Sequence, residues 1–472
     1  MATEKVNNGA ESNPVLVFDY DETRHTMQFG TETPLQNHSA DFHEIATSEQ
    51  IRTTTSSVPS RTVEATTTGL ADTTTNATTI QTTSTTVTTT TKRASKPAVK
   101  PNPLICTAAY IGYGDKFRVR GIVVNPPDGL CDILVCDECV GVETNELKNY
   151  ASRARQTECG VSFSRQDANK SNVGWMTGLL RNLWHSNIAF YGILDGADTS
   201  NTPEEAAEIV EFLKELQKQS RSFAVPVYAF AAVTVFSRSP GNRKRMLINH
   251  VRELLSTADI DILVYQTSYR KDLEDDECVA TGPAPWELPY ARRQPSFFDT
   301  QSIRKHIQLP PGKVEAFGVT LVGIRIVLLG MSHNDSRLAL GNREECLDSK
   351  RTSVPRYLCS SDPSSDDEWF ARNRQQIHEI FISFLNRSLS MLVYDTSVSL
   401  QVKMCLARKQ YGFVGGWVVR DLQWGFPTEC AGHQEYDGLL QRVHSMRQVL
   451  DQKLFSDTCP VYSDYNEPLI PQ

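Results

Sequence analysis

From Pro103 onward, short apolar runs alternate with longer amphipathic stretches almost to the C-terminus, and this alternation limits the possible folds more than any other feature. The runs are Ile105–Ile111, Cys131–Cys136, Gly160–Ser164, Ile188–Leu194, Ala224–Val235, Ile260–Tyr265, Gly323–Gly330 and Phe413–Val419. Several are apolar throughout rather than at every second residue, as expected where both faces of a parallel strand are covered. After the fourth run comes a clear helix signal. Thr202 caps, Pro203 takes the first helical position and Glu205 completes a capping box, while Ile209, Phe212, Leu213 and Leu216 share one face. Further helices are predicted over Arg243–Ser256, Glu368–Leu385, Ser399–Gln410 and Gln434–Leu454. About eight strands alternating with helices predict an α/β fold, a (β/α)8 TIM barrel over residues 103–460 with a short tail at 461–472. An open doubly wound sheet gives the same alternation, so the period alone does not choose between them.

Residues 1–102 are different. Threonine fills about every second position from Thr53 to Thr91, and no helical or strand period is sustained. A tract of this kind cannot bury a core, so a disordered arm is expected, either an O-glycosylated stalk or a bare linker. Inside it, Val15 to Thr23 reads VLVFDYDET, the strand-then-DxDxT opening of aspartate-nucleophile phosphatases, with Asp19 as nucleophile and Asp21 as acid. That chemistry needs a doubly wound domain immediately downstream. A low-complexity tract follows instead, and the segment is read as a short acidic patch.

A net charge of -8 and a pI near 5.8 give no footing for a nucleic-acid partner. No apolar run reaches the ~18 residues that span a bilayer, and none of the ten histidines falls in an HxH, HxxxH or HExxH pattern. No membrane span, cofactor or metal is therefore expected. The first residues lack the apolar core of a signal peptide, which favours the cytosol. The threonine tract, the eleven cysteines and sequons at Asn37, Asn76, Asn169, Asn334 and Asn386 favour export, and an extracellular protein is the reading taken.

Near the C-terminus, Met391-Leu-Val-Tyr394-Asp395 is followed by Ser399-Leu-Gln-Val-Lys403 and then by Tyr411-Gly-Phe-Val-Gly415-Gly416-Trp417. This succession resembles the last two barrel strands of the family 18 glycoside hydrolases, the chitinase family. There a Tyr-Asp pair follows strand seven, a helix carries a lysine and a Gly-Gly doublet opens strand eight. Pro103-Leu-Ile-Cys106 and Gly129-Leu-Cys131-Asp resemble the family's first two strands, and Ile260–Tyr265 its sixth. The motif PPDGLCD is also similar to one in a divergent, secreted arachnid branch. The resemblance implies a Cys106–Cys131 disulfide and a ligand of the chitin or N-acetylglucosamine-containing glycan class.

The departures from the family bear on activity. Active members carry DxxDxDxE at the end of strand four, where the glutamate protonates the leaving oxygen and the last aspartate orients the N-acetyl group. Matching Phe190 to Asp198 onto that motif puts Tyr191, Leu194 and Gly196 at the aspartate positions and Asp198 at the acid. Arg420 takes the place of the family's sugar-stacking tryptophan. Candidate carbohydrate contacts are therefore Trp417, Trp424, Tyr394, Asp395 and Arg420. The expectation is a catalytically inactive chitinase-like barrel that binds a glycan or a host or partner protein at its C-terminal rim. The rivals are a hydrolase using Asp198, Asp421 or Glu429, and a protein-binding scaffold with no sugar ligand.

Three other constellations are weaker. Cys131-x4-Cys136-x2-Cys139 has the opening spacing of an iron–sulfur or half a zinc site, yet it lies in an apolar strand with no second CxxC, so strand cysteines and disulfides are expected. Proximity suggests Cys346 or Cys359 with Cys405, and Cys430 with Cys459. The acidic run Asp272–Glu277 reads as a solvated loop.

Overall fold

The computed structural model describes residues 15–18, 96–109, 126–137, 144–168, 174–221, 226–237, 239–268, 282–287, 294–329, 346–352, 368–373, 378–385, 388–422 and 438–451. The chain divides into two units, Asp21–Ala94 and the remainder, and every described residue belongs to the latter. In chain order its strands are β1 (Val15–Phe18), β2 (Leu104–Ala109), β3 (Ile133–Asp137), β4 (Glu158–Ser162), β5 (Ile188–Asp198), β6 (Tyr228–Thr234) and β7 (Ile262–Gln266). They continue as β8 (Val314–Thr320), β9 (Gly323–Leu329), β10 (Cys346–Thr352), β11 (Glu368–Asn373), β12 (His378–Leu385), β13 (Ser388–Tyr394) and β14 (Gly416–Arg420). The helices are α1 (Thr144–Ala151), α2 (Arg165–Ala168), α3 (Gly174–Trp184), α4 (Pro203–Arg221), α5 (Gly241–Ser256), α6 (Phe297–Arg304), α7 (Ser397–Tyr411) and α8 (Leu439–Asp451).

Strands β2 to β8 and β14 close into a barrel, each parallel to its neighbours. The alternation in the sequence therefore resolves into the expected (β/α)8 barrel. Side chains of alternate residues fill its interior, among them Ile105, Val135, Phe190, Leu194, Phe230, Val264 and Val418. The other faces pack under the helices, where Leu213 and Leu216 of α4 are fully buried. Thr202 and Glu205 form the capping box that starts α4, at 3.3 and 2.9 Å.

Between β8 and β14 the chain leaves the barrel and, with β1 added at one edge, builds a second sheet ordered β1-β11-β12-β13-β9-β10. This corrects three expectations. The seventh barrel strand is Val314–Thr320, whereas Gly323–Gly330 supplies β9 of the second sheet. Apolar content misleads here because β8 carries polar and small residues for local reasons. Glu315 accepts from Arg304 Nε at 2.9 Å, and a Cβ on Gly318 would lie 2.3 Å from Gln266 Oε1. The strand running into Tyr394-Asp395 is likewise β13 of the second sheet, not a barrel strand. The helix expected over Glu368–Leu385 is the antiparallel pair β11–β12, in which Ile380, Ile382 and Phe384 alternate with Glu379, Phe381 and Ser383.

Val15–Phe18, assigned to the arm from sequence, is a strand paired in parallel with β11. The stretch from Lys96 to Pro103 also packs on the base of the barrel. Lys96 Nζ lies 2.5 Å from Asp261 and 4.4 Å from the Tyr228 ring centre, and Val99 meets the interior cluster. Cys106 and Cys131 are disulfide-bonded, as the family resemblance implied. This bond removes Cys131 from any iron–sulfur spacing. Cys136 and Cys405 are also half-cystines, while Cys159 is a free, buried thiol that burial pushes up to about 12.

Candidate functional site

In a barrel of this kind, chemistry belongs at the C-terminal ends of the strands. The polar residues there are Asp137 on β3, Ser162 on β4, Asp195 and Asp198 on β5, Thr234 on β6, Gln266 on β7, Thr320 on β8, and Arg420 with Asp421 at the end of β14. Four of them are bonded in two pairs, and two more bond the backbone of Leu194. Arg420 Nη2 donates to Asp137 Oδ2 at 2.5 Å, and Thr320 Oγ1 donates to Asp421 Oδ2 at 2.5 Å. Ser162 Oγ accepts from Leu194 N at 3.0 Å, and Gln266 Nε2 donates to Leu194 O at 3.4 Å. Burial works against the charge on Arg420, but Asp137, Asp421 and Asp195 outweigh it and hold the guanidinium above its ordinary range. Asp421 has φ 69°, a left-handed conformation that aspartate tolerates better than most residues. Below this layer the barrel retains a void of about 10 Å³, roughly the room for one water.

Asp198 closes a bulge in β5. The partner register steps from Ala231 to Val233 on β6 while β5 advances from Ile193 to Ala197. Gly196 permits this geometry, since a Cβ there would lie 1.9 Å from Ala232 O. Both carboxylate oxygens of Asp198 are engaged. Oδ2 pairs with Arg165 at 3.0 Å, and Oδ1 accepts from Ser200 N at 2.7 Å, Ser200 Oγ at 2.5 Å and Asn201 N at 3.2 Å. Arg165 also reaches Gly196 O and, at 3.1 Å, Asn201 Oδ1. The side chain of Asp198 is 3% exposed. It ties the strand-four loop together.

The proposed carbohydrate contacts separate. Trp417 is buried among Phe297, Phe317 and Phe413 on the helix side of β14, so it offers no face to a sugar. Tyr394 and Asp395 are buried as well. Asp395 Oδ1 meets Lys403 Nζ at 2.5 Å and Ser399 Oγ at 3.0 Å, deep under α7. Burial pushes Asp395 up and Lys403 down, against their mutual attraction. These three expectations are corrected: a Tyr-Asp pair and a glycine-led strand signal the fold here, not the rim. Arg420 alone of the described candidates stands at the mouth. Trp424, Glu429, the acidic run at 272–277 and the sequons Asn37, Asn76, Asn169, Asn334 and Asn386 lie outside the described residues. Sequence reasoning overlooked Asp137, Arg165 and Gln266. Asp137 could have been found, being the polar residue that ends an apolar barrel strand.

Gly415 and Gly416 have the close approach that the doublet suggested. A Cβ on either would lie 2.2 Å from Glu315 O or 2.5 Å from Pro103 O. Among the described residues no group of His, Cys, Asp and Glu is placed to hold a metal ion, and no helix is long and apolar enough to cross a membrane.

No protein-family model matches the chain, and no curated protein matches it. It is similar to several solved structures. One is described as a family 18 N-acetylglucosaminidase from Paenibacillus barengoltzii, at 10% identity and TM-score 0.48, covering 73% of this chain and 99% of that one. Another is a Group IV chitinase from Ostrinia furnacalis, at 14% identity and TM-score 0.49, covering 74% and 99%. A third is an immunomodulatory active chitinase from Trichuris suis, at 14% identity and TM-score 0.47, covering 74% and 100%. Likeness at these levels says nothing of activity or ligand. The first of these structures is described as a family 18 glycoside hydrolase, the family that the sequence motifs of this chain resemble.

Proposed function

We propose that this chain is a non-hydrolytic, chitinase-like barrel that binds its ligand at the C-terminal rim. What carries the reading is the state of Asp198, the residue at the family's acid position. A general acid must present a protonated oxygen to a leaving group across an open cleft. Here both oxygens already accept hydrogen bonds within the loop, and Tyr191, Leu194 and Gly196 stand where supporting aspartates would be. The ligand class follows from the resemblance: chitin or another N-acetylglucosamine-containing glycan.

A second reading, a partner protein as occupant, is favoured by the burial of Trp417 and the filled barrel, which withdraw the tryptophan of the last strand from any sugar. We place the protein outside the cell, supported by the Cys106–Cys131 bond and the half-cystines Cys136 and Cys405. The test uses the full chain on chitin beads, with 4-methylumbelliferyl chitotrioside turnover followed alongside. Retention without turnover supports the glycan reading; neither retention nor turnover moves the assignment to a protein ligand. Turnover that Asp198→Asn abolishes would overturn the proposal.

A further inference from the structure

Outside the barrel mouth, α4 and α5 leave a cleft of about 240 Å³ between them. It exists because α4 begins with small residues: half-buried Ala206 and exposed Ala207 face Met246 and Leu247 of α5. The floor is apolar, made by Leu247 and by His250, which is 6% exposed and has no hydrogen-bond partner for Nε2. Burial pulls His250 down to about 4, so near neutral pH the floor carries no charge.

Three charged residues line the same cleft. Asp198 is already paired with Arg165, and Glu253 is exposed at the far end. Arg243 is half-buried at the near end; its Nη1 donates to Asn201 O at 3.0 Å, and no carboxylate pairs with it among the described residues. Ten helical residues separate Arg243 from Glu253, about 15 Å along the axis. The cleft is therefore polarised, with a cation at one end, an anion at the other and an aliphatic channel between. At ~30 Å³ per water-sized unit, its volume suits a molecule of roughly eight non-hydrogen atoms. An anionic head at Arg243 then leaves the tail over Met246, Leu247 and the imidazole, ending short of Glu253.

We infer that the α4–α5 cleft is a binding site for a short aliphatic carboxylate of about six carbons, its carboxylate paired with Arg243. The inference is independent of what the barrel rim binds.

The full chain, labelled with ¹³C-methyl methionine, is titrated with hexanoate while the Met246 signal, assigned through Met246→Leu, is followed. A saturable shift is expected, weakened at least tenfold in Arg243→Gln and abolished in Ala206→Leu, which fills the cleft without touching the guanidinium. 1-Hexanol should bind more weakly than hexanoate and be indifferent to Arg243→Gln. Absence of a saturable shift, equal hexanoate affinity in Arg243→Gln, or an equal response to hexylamine would each overturn the proposal. Should Arg243→Gln fail to fold, Arg243→Lys together with Ala206→Leu and the hexanoate–hexylamine contrast decide the matter.

Discussion

Arg420, at the end of the last barrel strand, reaches over the end of the first to bind Asp137 on the second, Nη2 to Oδ2 at 2.5 Å. The two side chains are 16% and 8% exposed, so the pair bars the mouth in a largely desolvated layer. Removing one member strands the other. Asp137→Ala should cost about 2–3 kcal/mol, less than a fully isolated buried charge would because Asp421 and Asp195 remain near Arg420. A double-mutant cycle with Arg420→Met, read by urea denaturation, should give a coupling above about 1 kcal/mol. Simple additivity would sink the idea.

Asp198→Asn distinguishes a structural aspartate from a catalytic one. Exchanging a catalytic acid for its amide leaves stability largely intact, whereas here the exchange leaves Arg165 without its anion and weakens three bonds to Ser200 and Asn201. A loss of about 2–3 kcal/mol is expected, measured as a shifted denaturant midpoint. An unchanged midpoint would contradict the loop-tying role.

Writing the family's acids back into β5 should not create a hydrolase. Leu194 is 2% exposed in the apolar interior, and a carboxylate there costs several kcal/mol. At Gly196 any Cβ would meet Ala232 O at 1.9 Å. Gly196→Ala alone should lower stability by about 3 kcal/mol or more. The triple change Leu194→Asp, Gly196→Asp, Asp198→Glu should yield a chain whose circular dichroism shows no cooperative melt and whose turnover stays at background. Measurable chitotrioside cleavage by a folded triple variant would show the strand to be more adaptable than this.

The Cys106–Cys131 bond spans 25 positions and joins the starts of two adjacent barrel strands. In the chain-entropy view its loss costs about 3 kcal/mol. A Cys106→Ala/Cys131→Ala variant should show that drop in denaturation free energy.

His250 gives a pH signature. Its native value of about 4 lies below the ordinary 6.5, so between these limits the unfolded chain takes up a proton that the native one refuses. Stability therefore falls as pH is lowered through this window, by up to ~1.4 kcal/mol per unit and on the order of 3 kcal/mol in all. Arg243, Glu253 and Asp198 line the same cleft and are common to both chains compared. Comparing pH 4.5 with pH 7 in the parent and in His250→Leu isolates the histidine, whose replacement should flatten the profile.

Much of the barrel was legible in the sequence because a strand covered on both faces must be apolar at successive positions, as in Ile262–Tyr265 or Leu134–Cys136. The same rule misplaced the seventh strand. Gly323–Leu329 is apolar for a different sheet, while Glu315 and Gly318 disguise a barrel strand through an ion pair with Arg304 and a close approach of Gln266. Site residues were harder to read. A buried tryptophan such as Trp417 and a rim tryptophan look alike in one dimension, because which face of a strand turns inward depends on the register of its neighbours. The locking of Asp198 depends on Arg165, whose nearness to it comes only from the pairing of β4 with β5.

The final closure of the barrel has a consequence in time. Trp417 N donates to Pro103 O at 2.8 Å, and β14 lies in register against β2, so the first barrel strand waits for the last. With roughly three hundred residues between them and synthesis at ~5–20 residues per second, that wait is about 15–60 s on the ribosome. Throughout it β2 presents one edge of unpaired backbone amides and carbonyls, open to non-native partners. The nascent chain should therefore depend on a chaperone that shields its early strands until residue 420 emerges, and a ribosome stalled before that point should hold a protease-sensitive chain.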